Sequence, residues 1–137
     1  MLRKDAKVEL LKQVPLFERL SKRELKEIAS LADELRLPAG RNLAKEGATG
    51  KEFVVLVEGA ADVRRRGRKV NSLASGDFLG EIALITGAPR TATVTTTTGA
   101  RVLVITSSAF RRLMREIPSI QEKVLSALAA RIPEDFG

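Results

Sequence analysis

Apolar residues recur at helical spacing through the first third of the chain, from about residue 5 to residue 35. Pro15 interrupts this pattern, and Ser21 followed three residues later by Glu24 is a capping-box sequence, which is typical of a helix start. The apolar face predicted for the helix after Ser21 consists of Leu25, Ile28, Ala29, Ala32 and Leu35. The pattern breaks at residues 38–40, Pro-Ala-Gly, so the N-terminal helices are predicted to end before them.

The chain changes character between about residue 36 and residue 106, where short apolar runs alternate with glycine-centred turns. Residues 53–57 and 102–105 are rich in β-branched and aromatic side chains, and residues 91–98 are nearly continuous threonine. Such residues favour a pleated surface and disfavour a helix. Many short strands at regular turn spacing predict a sandwich or barrel, for which an antiparallel jelly roll is the natural candidate.

Helical spacing returns from about residue 107 to residue 132. Ser119 and Glu122 form a second capping-box sequence, and Pro133 is predicted to end the last helix. The fold class predicted is therefore α+β: one domain over residues 1–137, with an antiparallel β jelly roll (double-stranded β-helix) flanked by helices on both sides.

The composition excludes several kinds of chemistry. There is no histidine, cysteine, tyrosine or tryptophan, so imidazole catalysis, cysteine nucleophiles and thiolate or imidazole zinc sites are excluded. Catalysis by a pair of carboxylates is not excluded, because acidic residues occur throughout the chain. No apolar run approaches the roughly 18 residues of a membrane span, and the N-terminus does not look like a signal peptide. We therefore expect a cytoplasmic binding protein that is not an enzyme and uses no cofactor or metal.

The net charge of +7 raises the question of a polyanionic partner. Cations are densest at residues 64–69, Arg-Arg-Arg-Gly-Arg-Lys, where Gly67 lies at the expected position of a tight turn. We interpret this run as a solvated hairpin tip that also protects an exposed strand edge. The alternative is a basic surface that binds nucleic acid or a membrane, although the aromatic side chains typical of single-strand binding are scarce.

Residues 76–94 differ from the rest of the β region. A short helix over residues 81–86, between Gly80 and Gly87, would present first-turn N–H groups to an anion. Gly80 would allow a ligand to approach the backbone, and the guanidinium of Arg90 suits a phosphate. The carboxylate of Glu81 could accept a hydrogen bond from a hydroxyl. Each feature alone is a weak signal, and Glu81 and Arg90 could simply pair with each other.

The order and spacing of residues 78–84, Phe-Leu-Gly-Glu-Ile-Ala-Leu, and 89–94, Pro-Arg-Thr-Ala-Thr-Val, closely resemble the phosphate-binding cassette of cyclic-nucleotide-binding domains. That family includes regulatory subunits of cyclic-AMP-dependent kinase, catabolite-activator-type regulators and cyclic-nucleotide-gated channels. Residues 37–40, 46–47 and 53–59 match the family's early strands and structural glycines. The resemblance extends from about residue 11 to residue 132, nearly the whole chain.

The resemblance implies a regulatory domain that binds cAMP, and cGMP as a further candidate, as a ligand rather than a cofactor. Glu81 would accept from the ribose 2′-hydroxyl, and Arg90 would pair with the cyclic phosphate. The remaining site residues implied are Gly80, Ile82, Ala83, Thr91 and Ala92. Threonine at position 91 occurs in domains for either nucleotide, so it does not choose the base.

The resemblance also implies that the helix after Pro118 is a mobile lid whose movement signals occupancy. Candidates to cover the purine are Leu125, Leu128, Arg131 and Ile132, although this apolar stripe equally suits a core or dimer contact. No DNA-binding module or transmembrane segment is expected in the chain. A homodimer is a candidate assembly. The resemblance does not identify the effector domain or partner protein. The alternative function is a basic nucleic-acid or membrane-surface module with a degenerate nucleotide pocket.

Overall fold

The computed structural model describes residues 2–136, with side chains described for residues 2–130. The helices are α1 (Lys4–Lys12), α2 (Lys22–Ala29), α3 (Glu81–Thr86), α4 (Ser107–Glu116) and α5 (Pro118–Phe136), with a 3₁₀ turn at Pro15–Phe17. The strands are β1 (Asp33–Leu37), β2 (Asn42–Ala44), β3 (Glu52–Glu58), β4 (Ala61–Arg65), β5 (Arg68–Leu73), β6 (Phe78–Leu79), β7 (Thr93–Thr96) and β8 (Ala100–Thr106). The chain divides into two compact units, Asp33–Ser107 and a second formed by Met1–Ala32 with Ser108–Gly137.

The unit Asp33–Ser107, here the β unit, contains two four-stranded antiparallel sheets ordered β1-β8-β3-β6 and β2-β7-β4-β5. Leu43, Leu73 and Leu79 pack against the buried apolar residues of both sheets. The two sheets therefore share one core, which together with the strand order confirms the predicted jelly roll and the α+β class. The threonine-rich run forms β7, as its composition predicts.

The predicted hairpin tip at Gly67 is confirmed. Strands β4 and β5 pair as far as Arg65 and Arg68, which leaves a two-residue turn of Arg66 and Gly67. Both turn residues have positive φ, 53° and 79°, which matches the twist that two-residue hairpins require. Arg66 is the only non-glycine residue with positive φ in the described part of the chain.

The second unit, here the helical unit, consists of α1, the 3₁₀ turn and α2, together with α4 (from Ser108) and α5. Its buried apolar side chains come from both chain segments. The rings of Phe17 and Phe110 illustrate this, with centroids 5.7 Å apart in a tilted arrangement. The helical unit is thus held together by residues from the two ends of the sequence.

A buried carboxylate joins the same two segments. The predicted capping box is present, because Ser21 Oγ accepts from the Glu24 N–H and the Ser21 N–H donates to Glu24 Oε1 at 2.8 Å. The Glu24 carboxylate, only 8% exposed, also accepts from Ser119 Oγ at 2.7 Å and Lys123 Nζ at 2.6 Å. We call these four residues the Glu24 cluster. Burial raises the pKa of Glu24, but hydrogen bonds from Lys123, Ser21 and Ser119 outweigh it and lower that pKa to about 2.

Three helix boundaries differ from the predictions. Helix α2 ends at Ala29, because residues 33–37 pair with β8, where Leu35 lies opposite Val102 and is 44% exposed. Helix α5 begins at Pro118, so Ser119 lies inside the helix and its hydroxyl donates to Glu24. The same helix includes Pro133 and ends at Phe136, so the end predicted at Pro133 is wrong.

A single domain over residues 1–137 stays a prediction. None of the helices within residues 2–136 combines the length and the apolar character that crossing a membrane requires.

Candidate functional site

The predicted short helix lies where the sequence places it, within residues 78–94, here called the cassette. Strand β6 leads into Gly80, which is left-handed (φ 84°), and α3 follows over Glu81–Thr86. Gly87 ends the helix in the same left-handed region, and its N–H donates to Ala83 O at 2.8 Å. Two glycines thus hold a helix of fixed length between two strands.

The helix ladder of α3 begins with the Leu84 N–H, which donates to Gly80 O at 2.9 Å. The N–H groups of Ile82 and Ala83 therefore lie outside this ladder, at the positive end of the helix dipole. Glu81, at the first position of the helix, is 5% exposed. A buried carboxylate and helix-start amides are consequently found within three consecutive residues.

The guanidinium of Arg90 lies against the start of this helix. Its Nη2 donates to the backbone carbonyl of Glu52, and its Nη1 lies beside Gly80, the residue before Glu81. Burial lowers the pKa of Arg90, whereas the nearby Glu52 carboxylate raises it. An arginine keeps its charge under such conditions, so the structure places a fixed cation at the N-terminal end of α3.

Close approach explains two glycines around Arg90. A Cβ at Gly80 would collide with the guanidinium and with the Glu52 carbonyl. A Cβ at Gly50 would lie 2.5 Å from the Cβ of Ala83 and 3.0 Å from the carbonyl oxygen of Ala88. Sequence reasoning identified Gly80 as a site residue but treated Gly50 only as a turn glycine. No sequence signal marks Gly50, because the atoms that approach it, Ala83 Cβ and Ala88 O, are brought near only by the fold.

The backbone after α3 is held by the loop between β2 and β3. The Arg90 N–H donates to Ala48 O at 2.8 Å, and the Gly47 N–H donates to Arg90 O at 2.9 Å. Arg90 is thereby fixed through both its main chain and its side chain. Because phosphate recognition by arginine depends on the orientation of its planar fork, this support suits an anion site.

The remaining predicted site residues differ in exposure. Ala83 and Ala92 are buried, Ile82 is half-buried, and Thr91 is exposed, with its carbonyl accepting from Arg65 Nε at 3.2 Å. Gly80, Glu81 and Arg90 are brought together as expected. Their roles toward a ligand, and those of Ile82, Ala83, Thr91 and Ala92, stay predictions.

The candidate lid residues belong to α5. Leu125 is 43% exposed and Leu128 is half-buried, whereas Val124 and Ala127 on the same helix are fully buried. The side chains of Arg131 and Ile132 lie outside the described residues. The stripe therefore has both core positions and an exposed leucine, and the lid role stays a prediction.

The described residues contain no group of three or more carboxylate, imidazole or thiol side chains arranged to hold a metal ion. The chemistry that the site offers is recognition: a cation and helix-start amides for an anion, and a buried carboxylate for a hydroxyl.

The chain is similar in sequence or in fold to several known proteins. The chain is 39% identical over 122 residues to a cAMP-dependent protein kinase regulatory subunit from Mycosarcoma maydis, which covers 82% of this chain and 23% of that protein. The N-terminal domain of a transcriptional regulator from Streptomyces coelicolor A3(2) superposes with a TM-score of 0.83 at 26% identity, covering 93% of this chain and 94% of that one. A cyclic nucleotide-binding-like protein from Brucella abortus superposes with a TM-score of 0.74 at 30% identity, covering 81% and 99%.

The chain spans between about a quarter and a third of the length of the curated relatives that it matches. Residues 34–117 match the family model of the cyclic nucleotide-binding domain, which is more than half of the chain and includes the whole cassette. On this match the chain belongs to the cyclic nucleotide-binding domain family.

Proposed function

We propose that the chain is a regulatory sensor domain that binds cAMP, and cGMP as a second ligand, through the cassette. The observation that carries the proposal is the fixed guanidinium of Arg90, seated beside Gly80 at the start of α3 and adjacent in sequence to the buried Glu81. A cyclic nucleotide presents one phosphate charge next to a ribose hydroxyl, and the cassette presents a complementary cation and carboxylate on neighbouring residues.

In this proposal Arg90 and the N–H groups of Ile82 and Ala83 receive the cyclic phosphate. Glu81 accepts from the ribose 2′-hydroxyl, and Gly80 leaves space at the backbone because it has no Cβ. Thr91 and Ala92 follow Arg90 and contact the phosphate and purine. The kinase regulatory subunits among the relatives are named for cAMP, which is why cAMP is placed first.

We also propose that the domain is not an enzyme and that it signals through α5. A nucleotide that binds one position of this helix more tightly than another shifts the population between them. Leu125, Leu128, Arg131 and Ile132 are the candidates to cover the base. A kinase or another effector domain is the partner class that the relatives support. The cytoplasmic location and a homodimer stay predictions.

The contacts of the basic hairpin, residues 64–69, favour the nucleotide sensor over the alternative of a module that binds a polyanion. Asp62 pairs with Lys69 at 3.2 Å and with Arg64 at 3.6 Å, and Arg65 donates to the Thr91 carbonyl. Three of the five cations at residues 64–69 thus have partners within the protein. A polynucleotide would have to compete with these contacts.

We expect the chain to bind cAMP with measurable heat in calorimetric titration and to be stabilised by it. A ligand at 100 times its Kd stabilises a protein by about 2.7 kcal/mol, which raises Tm by roughly 10 °C for a domain of this size. Scanning calorimetry is the suitable readout, because the chain has no tyrosine or tryptophan for intrinsic fluorescence. The same measurement with cGMP ranks the two ligands. Absence of heat and of a Tm shift with both nucleotides would contradict the proposed function.

A further inference from the structure

One side chain of the basic hairpin, residues 64–69, donates a hydrogen bond to the cassette. Arg65 Nε, at the end of β4, donates to the carbonyl oxygen of Thr91 at 3.2 Å. The strand register leads to this contact, since β4 pairs with β7 as far as Arg64 opposite Thr93. The next residue, Arg65, has no strand partner in β7. Its side chain bonds instead to the backbone of Thr91, two residues before the start of β7.

A second contact, through Glu46, holds the hairpin tip. The Arg66 N–H donates to Glu46 Oε1 at 2.9 Å, and the Glu46 N–H donates to Thr93 Oγ1 at 3.0 Å. Arg66 has φ 53°, a conformation that costs a residue with a side chain about 1 kcal/mol or more. A tip that keeps this conformation while bonded to Glu46 has a defined position relative to β7.

The other cations of the hairpin are arranged differently. Arg64 and Lys69 lie near Asp62, and within residues 2–130 the side chain of Arg68 forms no ion pair. Among the side chains of these cations, all within the described residues, that of Arg65 alone donates to the cassette. Its acceptor is a neutral backbone carbonyl, so an uncharged N–H donor at the same position can also form this hydrogen bond.

We infer that Arg65 is a positioning residue of the nucleotide site, an inference that rests on the proposed function. The peptide between Arg90 and Ala92 is then held on both sides: the loop residues Gly47 and Ala48 bond the main chain of Arg90, and Arg65 bonds the carbonyl of Thr91. A backbone that is already ordered loses less conformational entropy when the ligand binds. Removing the Arg65 contact should weaken both cAMP and cGMP, because it acts on backbone that either nucleotide would contact.

Two substitutions separate the hydrogen bond from the charge. Glutamine places its amide nitrogen as many bonds from Cα as arginine places Nε, so Arg65→Gln removes the charge and keeps a donor. Arg65→Met removes both at similar length. Arg68→Met is the matched control, because it removes one charge from the same exposed hairpin without touching the cassette. We expect Arg65→Met to weaken cAMP binding by about three- to tenfold, as for one lost hydrogen bond, and the other two variants by less than about twofold.

Calorimetric titration at physiological salt measures these affinities, and amide hydrogen exchange of the ligand-free protein gives a second readout. The Ala92 N–H shares a peptide plane with the Thr91 carbonyl, so Arg65→Met should accelerate its exchange while Arg65→Gln and Arg68→Met leave it unchanged. Equal losses of affinity in Arg65→Gln and Arg65→Met would assign the effect to charge and overturn the inference. Unchanged affinity and exchange in Arg65→Met would also overturn it. Failure of the native chain to bind either nucleotide contradicts the proposed function instead, and the exchange data still decide whether Arg65 orders the cassette.

Discussion

Replacing Arg90 with alanine is expected to reduce cAMP affinity by between about 30-fold and several thousand-fold, which corresponds to the roughly 2–5 kcal/mol lost when one partner of a buried charge pair is removed. The phosphate would lose the only guanidinium that the cassette contains. Arg90→Lys should recover part of the loss, because lysine restores the charge without the planar fork. Calorimetric titration of the three proteins measures the series.

Arg90 also has a structural role, since its Nη2 donates to the Glu52 carbonyl. Each variant therefore needs a thermal unfolding measurement, so that affinities are compared only between proteins that are folded at the temperature of the titration. Arg68→Ala provides the charge-matched control, and its affinity should stay within about twofold of the native value, because an exposed charge is screened by salt. Undiminished affinity in Arg90→Ala would refute the assigned phosphate role.

The second large effect is expected at Glu24, where substitution should lower stability at neutral pH and flatten the response to acid. The pKa of Glu24 falls from 4.5 to about 2 on folding, so its contribution is fully present above pH 4.5 and is lost as the pH falls toward 2. A shift of this size corresponds to at most roughly 3.4 kcal/mol. Because Lys123 is 40% exposed, solvent screening reduces it, and we expect Glu24→Gln to lose about 2 kcal/mol at pH 7.

Urea unfolding at pH 7 and at pH 2.5 measures this difference. The stability gap between the native chain and Glu24→Gln should be largest at pH 7 and should fall to about a quarter of that value at pH 2.5, where the pH is just above the folded-state pKa of about 2. Glu27→Gln is the matched control, because Glu27 lies on the same helix with an exposed side chain. Identical pH profiles for Glu24→Gln and Glu27→Gln would contradict the expected contribution of the ionised Glu24 carboxylate to stability.

Local signals predicted much of the fold correctly. The capping box at Ser21, the hairpin at Gly67 and the short helix between Gly80 and Gly87 each depend on a few neighbouring residues, and each is present. Two of the three boundary errors came from contacts between distant residues. Leu35 continues a helical apolar pattern, but pairing with β8 makes it part of a strand. Ser119 was predicted as a helix cap, but its hydroxyl donates a hydrogen bond to Glu24, which is distant in sequence.

The same division applies to the site. Gly80, Glu81 and Arg90 lie within one short segment, so their order could be interpreted from sequence. Other strands and loops supply the Glu52 carbonyl, the space at Gly50 and the Nε–H donor of Arg65. A carbonyl belongs to every residue type, and Arg65 is one of several arginines in a row, so neither carries a sequence signal of its own. These contacts depend on strand register, which the sequence pattern does not specify.

The discontinuous helical unit has a consequence for biosynthesis. The β unit is one continuous stretch, so all of its strands can pair once residue 107 has left the ribosome. The helical unit needs Phe17 to meet Phe110, and Glu24 to meet Lys123, so α1 and α2 wait for nearly the whole chain to be synthesised. Until then α1 and α2 can pack on each other but lack α4 and α5, and exposed apolar surface of this kind makes partly folded chains prone to aggregation. The nucleotide cassette, by contrast, lies entirely within the part that can fold first.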